Sequence, residues 1–258
     1  MIKEEHAPVS RTIARAVAIL EAFDGSQSTL GITEISQRTG LDKSTVHRLL
    51  QALQQGGLIA RDTDSARYCL GLGLLRLASR ASQRLDLPRM ARPVLEALAL
   101  RSQETVTLTV LDAEDRAVLV DVMCSTHYIR DVALVGRDLP LHATAAGKIL
   151  LASLSGPRLE RVLSASLPQF TERTLTNVGA LREAVETLRG TGYALAEEEL
   201  EHGLSDIAAP VLNHQGLVIA ALGVSGPSFR LSHDVLKALA PEVVRAAAHI
   251  SILIGYSP

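Results

Sequence analysis

No stretch of 18 or more apolar residues occurs in the 258-residue chain, so no membrane-spanning helix is expected. The opening residues, MIKEEHAPVS, lack the basic start and apolar stretch of a secretory leader. Cysteine is scarce. Cys69 and Cys124 are far apart in sequence, which argues against a structural disulfide or a metal pair. Both read as ordinary buried thiols, and a reducing cytoplasm is the expected compartment. HExxH, GxSxG, P-loop and dinucleotide-binding signatures are all missing, and Ser225-Gly226-Pro227 reads as a loop rather than a nucleophile elbow. The expectation is therefore no catalytic set, no metal and no cofactor. There is also no internal repeat and no low-complexity segment.

Excess positive charge is missing too: the net charge is −2, which taken whole argues against a nucleic-acid partner. Its distribution argues otherwise. Residues 1–85 hold 11 Lys/Arg against 8 Asp/Glu, and residues 86–258 hold 15 against 20. A small basic module joined to an acidic one fits that split. Almost half the residues are apolar, enough to build a core in each.

The first module reads as helices and a hairpin. Ile13, Ala16, Val17, Leu20 and Phe23 recur at helical spacing over about 10–23, with Ser10 as N-cap and a break at Asp24-Gly25-Ser26. A short helix after Thr33 carries Ile35 and stops at Thr39-Gly40. A third starts after Asp42, runs to about Gln55 and ends at Gly56-Gly57. Leu58–Arg61 and Arg67–Leu70, separated by Asp62-Thr63-Asp64-Ser65, read as a hairpin. Two helices joined by a short Gly-containing turn and followed by a hairpin form the winged helix-turn-helix layout. On the third helix Val46, Leu49, Leu50 and Leu53 share one face at 100° per residue. Ser44, Arg48, Gln51 and Gln55 point the other way, with Thr45 and His47 on the flanks. The expected DNA contacts are Lys43, Ser44, Thr45, His47, Arg48 and Gln51, with Arg61 and Arg67 at the wing. Arg48 is the candidate for a bidentate contact to guanine, and Lys43 for a phosphate. A helical subdomain with a merely solvated polar face is the alternative.

A leucine-rich helix follows, with Leu72, Leu75, Leu77, Ala78, Ala81 and Leu85 on its apolar side. It reads as a linker helix that packs against its counterpart in a dimer. The expected division is 1–71 for the DNA-binding domain, 72–86 for the linker and 87–258 for the second domain. That domain reads as a helix over about 89–102, strands at Val106–Leu111, Ala117–Val122 and Ile129–Val135, and a helix opening at Ala146-Gly147-Lys148. A helix over about 179–190 follows, then strands at Ile207–Leu212 and Leu217–Val224 and a last helix from Ser232 toward Leu253. The fold class is α+β with an antiparallel-rich sheet.

His142 and Lys148 flank Ala143-Thr144-Ala145-Ala146-Gly147. Small residues at a helix start leave N–H groups open to an anion, and close packing of the helix demands the same residues; both readings stand at this point. The run Glu197, Glu198, Glu199, Glu201, His202 and Asp206 reads as a solvated or loop-stabilising cluster rather than a metal site.

Several blocks together carry a family resemblance. ARAVAILEAF at 14–23, TGLDKSTVHRLL at 39–50, YCLG at 68–71 and PLHATAAGK at 140–148 resemble the IclR family of bacterial regulators. So do GYA at 192–194, EEE at 197–199, Gly203, AAPV at 208–211 and VSGP at 224–227. These blocks span nearly the whole chain in the family's order. The resemblance implies a non-enzymatic, ligand-responsive transcription regulator of metabolic or catabolic genes. It implies a winged helix-turn-helix, a linker helix and a GAF-like effector-binding domain, in dimers or tetramers that bind palindromic double-stranded operators. It also implies a small organic acid effector held near Tyr128, Asp131, Leu139, Ala145, Ala146, Gly147, Asp206, Gly223 and Ser225. Asp131 and Asp206 favour a hydroxylated acid, since ionised carboxylates repel a plain anion.

Overall fold

A computed structural model describes residues 10–23, 28–62, 65–82 and 86–257. Contacts divide the chain into two compact units, Met1–Leu85 and Asp86–Pro258.

The N-terminal unit contains α1 (Arg11–Glu21), α2 (Ile32–Thr39), α3 (Lys43–Gln55), β1 (Ile59–Arg61), β2 (Tyr68–Leu70) and α4 (Leu72–Ser82). Ile19, Leu30, Ile35, Val46, Leu49, Leu50, Leu53, Ile59 and Tyr68 form its core. The third helix has the bounds read from the sequence. Asp42 caps it by accepting from the Thr45 N–H at 2.8 Å. Helix α2 starts earlier than expected, with Gly31 rather than Thr33 as its cap residue. The Glu34 carboxylate reaches back to accept the Gly31 N–H at 2.6 Å, and the helix stops at Gly40 in the left-handed region. β1 and β2 pair antiparallel with Ala60 opposite Cys69. The hairpin base and the start of α4 are joined through backbone: the Gly71 N–H donates to Leu58 O at 2.8 Å and the Gly73 N–H to Gly57 O at 2.9 Å. A Cβ on Gly71 would lie 2.3 Å from Gly57 O, and one on Gly73 2.5 Å from the same atom. The expected break at 24–26, the middle of the wing turn at 63–64 and the end of the linker at 83–85 lie outside the described residues.

The second unit starts with α5 (Asp86–Ser102), β3 (Thr105–Leu111), β4 (Ala117–Met123), β5 (Asp138–Leu139), α6 (Ala145–Ser153) and α7 (Gly156–Ser164). It continues with α8 (Val178–Thr191), β6 (Ala194–Glu197), β7 (Leu204–Leu212), β8 (Val218–Pro227) and α9 (His233–Leu253). Six antiparallel strands lie in the order β5-β4-β3-β8-β7-β6. Strand alternation splits each strand between two faces. Val106, Leu108, Ile207, Ala209, Leu222 and Val224 pack with α5 and α9. Ala208 and Ala221 pack with α6 through Ala145, Ala146, Ile149 and Leu150. Thr107, Asp206, Gly223 and Ser225 alternate with the first set, so they share the α6 side.

Three expectations are corrected. Ser225-Gly226-Pro227, read as a loop, is the end of β8 and pairs with Leu204–Asp206 of β7. Residues 129–135 have strand composition but form no strand. The open edge of β4 is taken instead by Gly136–Leu139: Gly136 N–H donates to Leu119 O, Leu119 N–H to Arg137 O, and Val118 pairs with Asp138. Ile129, Val132, Leu134 and Val135 are left exposed. Cys124 is exposed and Cys69 half-buried, so neither is a fully buried thiol. Helix α7 and strands β5 and β6 were not anticipated.

Candidate functional site

On α3, Val46, Leu49, Leu50 and Leu53 face the core. Lys43, Ser44, His47, Arg48 and Gln51 are exposed, and Thr45 is half-buried. The helix start is tightly organised. Ser44 Oγ donates to Asp42 at 2.6 Å and Thr45 Oγ1 donates to Asp42 at 2.7 Å. These bonds, the one from Ser44 foremost, hold the Asp42 carboxyl well below the usual carboxylate range. Both hydroxyls spend their protons on the cap, so toward a ligand they act as acceptors.

The two wing arginines differ. Arg61 is exposed, its guanidinium carbon 5.8 Å from the Tyr68 ring centre. Arg67 does not extend outward as expected. It donates to Thr29 Oγ1 at 3.0 Å, Thr29 O at 2.9 Å and Glu34 at 2.7 Å, tying the hairpin to α2. Glu34 sits below its ordinary pKa through the Gly31 N–H and Arg67.

In the second unit a cavity of about 60 Å³ opens between the sheet, the start of α6 and the 131–139 segment. Of the nine positions read from the sequence, Asp131, Leu139, Ala146, Asp206, Gly223 and Ser225 line it. The register explains the convergence: Asp206 pairs with Ser225 across β7 and β8, and Gly223 with Thr107 across β8 and β3. Ser225 Oγ donates to Asp131 at 2.6 Å.

Three positions behave otherwise. Tyr128 is fully exposed and does not line the cavity. The Ala145 N–H, expected to meet an anion, donates to the chain's own Asp206 at 2.8 Å. Gly147 lies under the helix. A Cβ there would sit 2.6 Å from Pro140 O, and its N–H donates to Thr144 Oγ1 at 3.0 Å, so this glycine serves close packing. Asp206 is half-buried because it borders the cavity, yet protein surrounds the carboxylate. Burial pushes its pKa up to about 7, against the pull of the Ala145 N–H and Lys148.

Sequence reasoning missed Thr107, Thr144, Arg137 and Glu201 in the lining. Thr107 had a signal, since Thr105, Thr107 and Thr109 alternate with Val106 and Leu108. Arg137 had none, because its place depends on the turn that carries the chain into β5. Lys148 is not in this cavity. It is buried, donating to Leu195 O at 3.0 Å and pairing with Glu199 at 2.5 Å. His142 is buried on the far side of the β5–α6 connection. The acidic run disperses among separate partners: Glu197 to His233, Glu198 to Ser228, Glu199 to Lys148, and His202 to Glu172. Among the described residues no group of His, Cys, Asp and Glu is placed to hold a metal. No helix of the described residues is long and apolar enough to cross a membrane.

Residues 12–63 match the IclR helix-turn-helix domain, and residues 79–252 match the bacterial transcriptional regulator IclR C-terminal domain. The chain belongs to the IclR family. The HTH-type transcriptional regulator KdgR of Escherichia coli K12 is 37% identical over 246 residues, covering 95% of this chain and 93% of KdgR. The transcriptional repressor IclR of the same organism is 32% identical over 247 residues, covering 95% and 90%. An IclR homologue from Microbacterium hydrocarbonoxydans, solved in complex with 4-hydroxybenzoate, superposes with a TM-score of 0.82 at 29% identity, covering 94% of this chain and 98% of that one. The IclR-family assignment makes the N-terminal unit a helix-turn-helix domain of a transcriptional regulator.

Proposed function

We propose that this IclR-family regulator binds a palindromic operator as a homodimer or tetramer, in the cytoplasm, and is switched by a small hydroxylated organic acid held in the β7–β8–α6 cavity. Domain limits of 1–71, 72–86 and 87–258 go with this reading. On the DNA side the support is the exposed Lys43–Gln51 face, with Arg48 opposite the buried leucines. On the effector side one observation carries the argument: carboxylates, hydroxyls and a cation border one small cavity. Arg137 supplies the charge that suits a ligand carboxylate. Asp131 and Asp206 suit ligand hydroxyls, as acceptors. A cavity of about 60 Å³ has room for roughly four waters, so as it stands it suits a short acid. An aromatic acid requires the 131–139 segment to move. The relative's ligand, 4-hydroxybenzoate, is itself a hydroxylated acid.

An enzymatic reading finds less support. Ser225 donates to a carboxylate, and among the described residues no His or Lys borders the cavity to act as its base. Regulation requires the effector to bind the DNA-competent and DNA-incompetent forms unequally. Calorimetry with glycolate, lactate, glycerate and propionate tests the effector claim. The hydroxylated acids should bind more tightly than propionate, Ser225→Ala should weaken them, and Ala146→Leu should abolish binding. Binding unaltered by Ala146→Leu would place the effector elsewhere. Operator affinity should fall by about 0.9 log unit per neutralised phosphate per log unit of salt, a dependence that a protein-only interaction module lacks.

A further inference from the structure

A second opening lies on the other side of the β5–α6 connection. It is a cleft of about 490 Å³ bounded by that connection, the β3–β4 turn, α7 and the loop after α7. Leu141, Leu151, Val162, Leu167 and Leu181 give it apolar walls. Its polar features set it apart from a loosely packed surface. His142 is 5% exposed and its ring stacks on Phe170, with centroids 5.8 Å apart and planes at 29°. His142 Nε2 lies 2.9 Å from Pro168 O. A carbonyl only accepts, so Nε2 carries the proton, and in the neutral ring Nδ1 presents a lone pair. No described residue hydrogen-bonds that nitrogen.

The charges at the rim are matched internally. The buried Asp115 carboxylate is held by Arg158 and Arg161. Arg116 is shared among Asp112, Glu114 and Asp138. An acid gains no unmatched cation here, in contrast to the first cavity with Arg137. What the cleft offers is a flat aromatic edge, leucine walls and, on the mostly buried His142, a ring nitrogen with no partner among the described residues.

We infer that this cleft is a second small-molecule site, which takes a neutral phenol whose ring packs beside Phe170 and whose hydroxyl donates to His142 Nδ1. Leu139 lines both openings, so the two sites share one wall residue. This does not depend on the effector reading of the first cavity.

The test is a titration of the full-length, leucine-methyl-labelled protein with phenol and with toluene, followed by NMR. Phenol should shift the Leu141, Leu167 and Leu181 methyl signals saturably, with Leu139 moving alongside. Toluene should bind about fivefold more weakly for want of the hydrogen bond. Ala165→Trp, at an exposed position in the lining, should remove these shifts by filling the cleft, and Phe170→Ala should weaken them if the tryptophan variant misfolds. Ala146→Leu, which fills the first cavity, should leave them intact. Shifts confined to Leu119 and Leu204 of the first cavity, or an absence of saturable binding, would overturn the site. Toluene binding as tightly as phenol would overturn the role of His142 and with it the ligand class.

Discussion

At the scale of single side chains, Arg48 and Arg67 show how two arginines of one small unit take different tasks. Arg67 is consumed by Thr29 and Glu34, whereas Arg48 stands exposed on the face of α3 opposite its buried leucines. Arg48→Ala should therefore weaken specific operator binding by about 1–3 kcal/mol with the fold unchanged, as measured by a salt-controlled gel or anisotropy titration. Unchanged affinity would mean that this face does not read bases. Asp206 sets a pH dependence. Its folded pKa of about 7 exceeds the ordinary 3.8, so between those values the folded chain keeps a proton that the unfolded chain has released. Its contribution to stability is thus present at low pH and declines as pH rises toward 7. Asp206→Asn removes that decline. From pH 5 to pH 8 the variant should gain on the parent by on the order of 2 kcal/mol in denaturant melts, and parallel curves would refute the shift. An anionic effector should likewise bind the parent more tightly at pH 6 than at pH 8, and the variant almost equally at both.

At the scale of elements, α3 was legible because its start and stop are local. Asp42 caps, Gly56-Gly57 ends, and a four-residue apolar stripe lies between. Asp42→Ala should remove the cap and also release the Ser44 and Thr45 hydroxyls. The expected outcome is faster amide exchange at Thr45 and weaker operator binding, both seen without loss of the rest of the fold. Exchange equal to the parent at Thr45 would show that the cap is dispensable. The 129–135 segment misled for the opposite reason. Its composition is that of a strand, but strandhood needs a free edge, and β4 gives its edge to Gly136–Leu139. The cavity was partly legible through the family resemblance, which implied Ala146, Asp206, Gly223 and Ser225, and the strand register then aligns the last three. That Asp206 would occupy the Ala145 N–H could not be read, because the contact spans 61 residues. Tyr128 was misplaced because its segment takes no strand.

At the scale of the whole molecule, the chain couples a basic module to an acidic one. On α4, Leu72, Leu75 and Leu77 are all at least half exposed. Leu72 and Leu75 lie about 60° apart around the helix, and we propose that a second copy of the same helix covers them with two-fold symmetry. Sedimentation at micromolar concentration should show a dimer or larger species, and Leu75→Glu should shift it toward monomer. A parent that sediments as a monomer would refute this assembly.

Glycines 71 and 73 carry a consequence for variation. In a library holding every substitution, selected for folding, position 71 should retain glycine alone, because any Cβ meets Gly57 O at 2.3 Å, and position 73 should follow at 2.5 Å. Position 40 should behave differently. Its φ is +68° with nothing within 4 Å of a Cβ, so asparagine and aspartate should survive there while branched residues are purged. The two kinds of glycine would leave different footprints in sequencing counts. The footprint at 71 and 73 would mark the seam where the hairpin, the end of α3 and the start of α4 drift through sequence space only together.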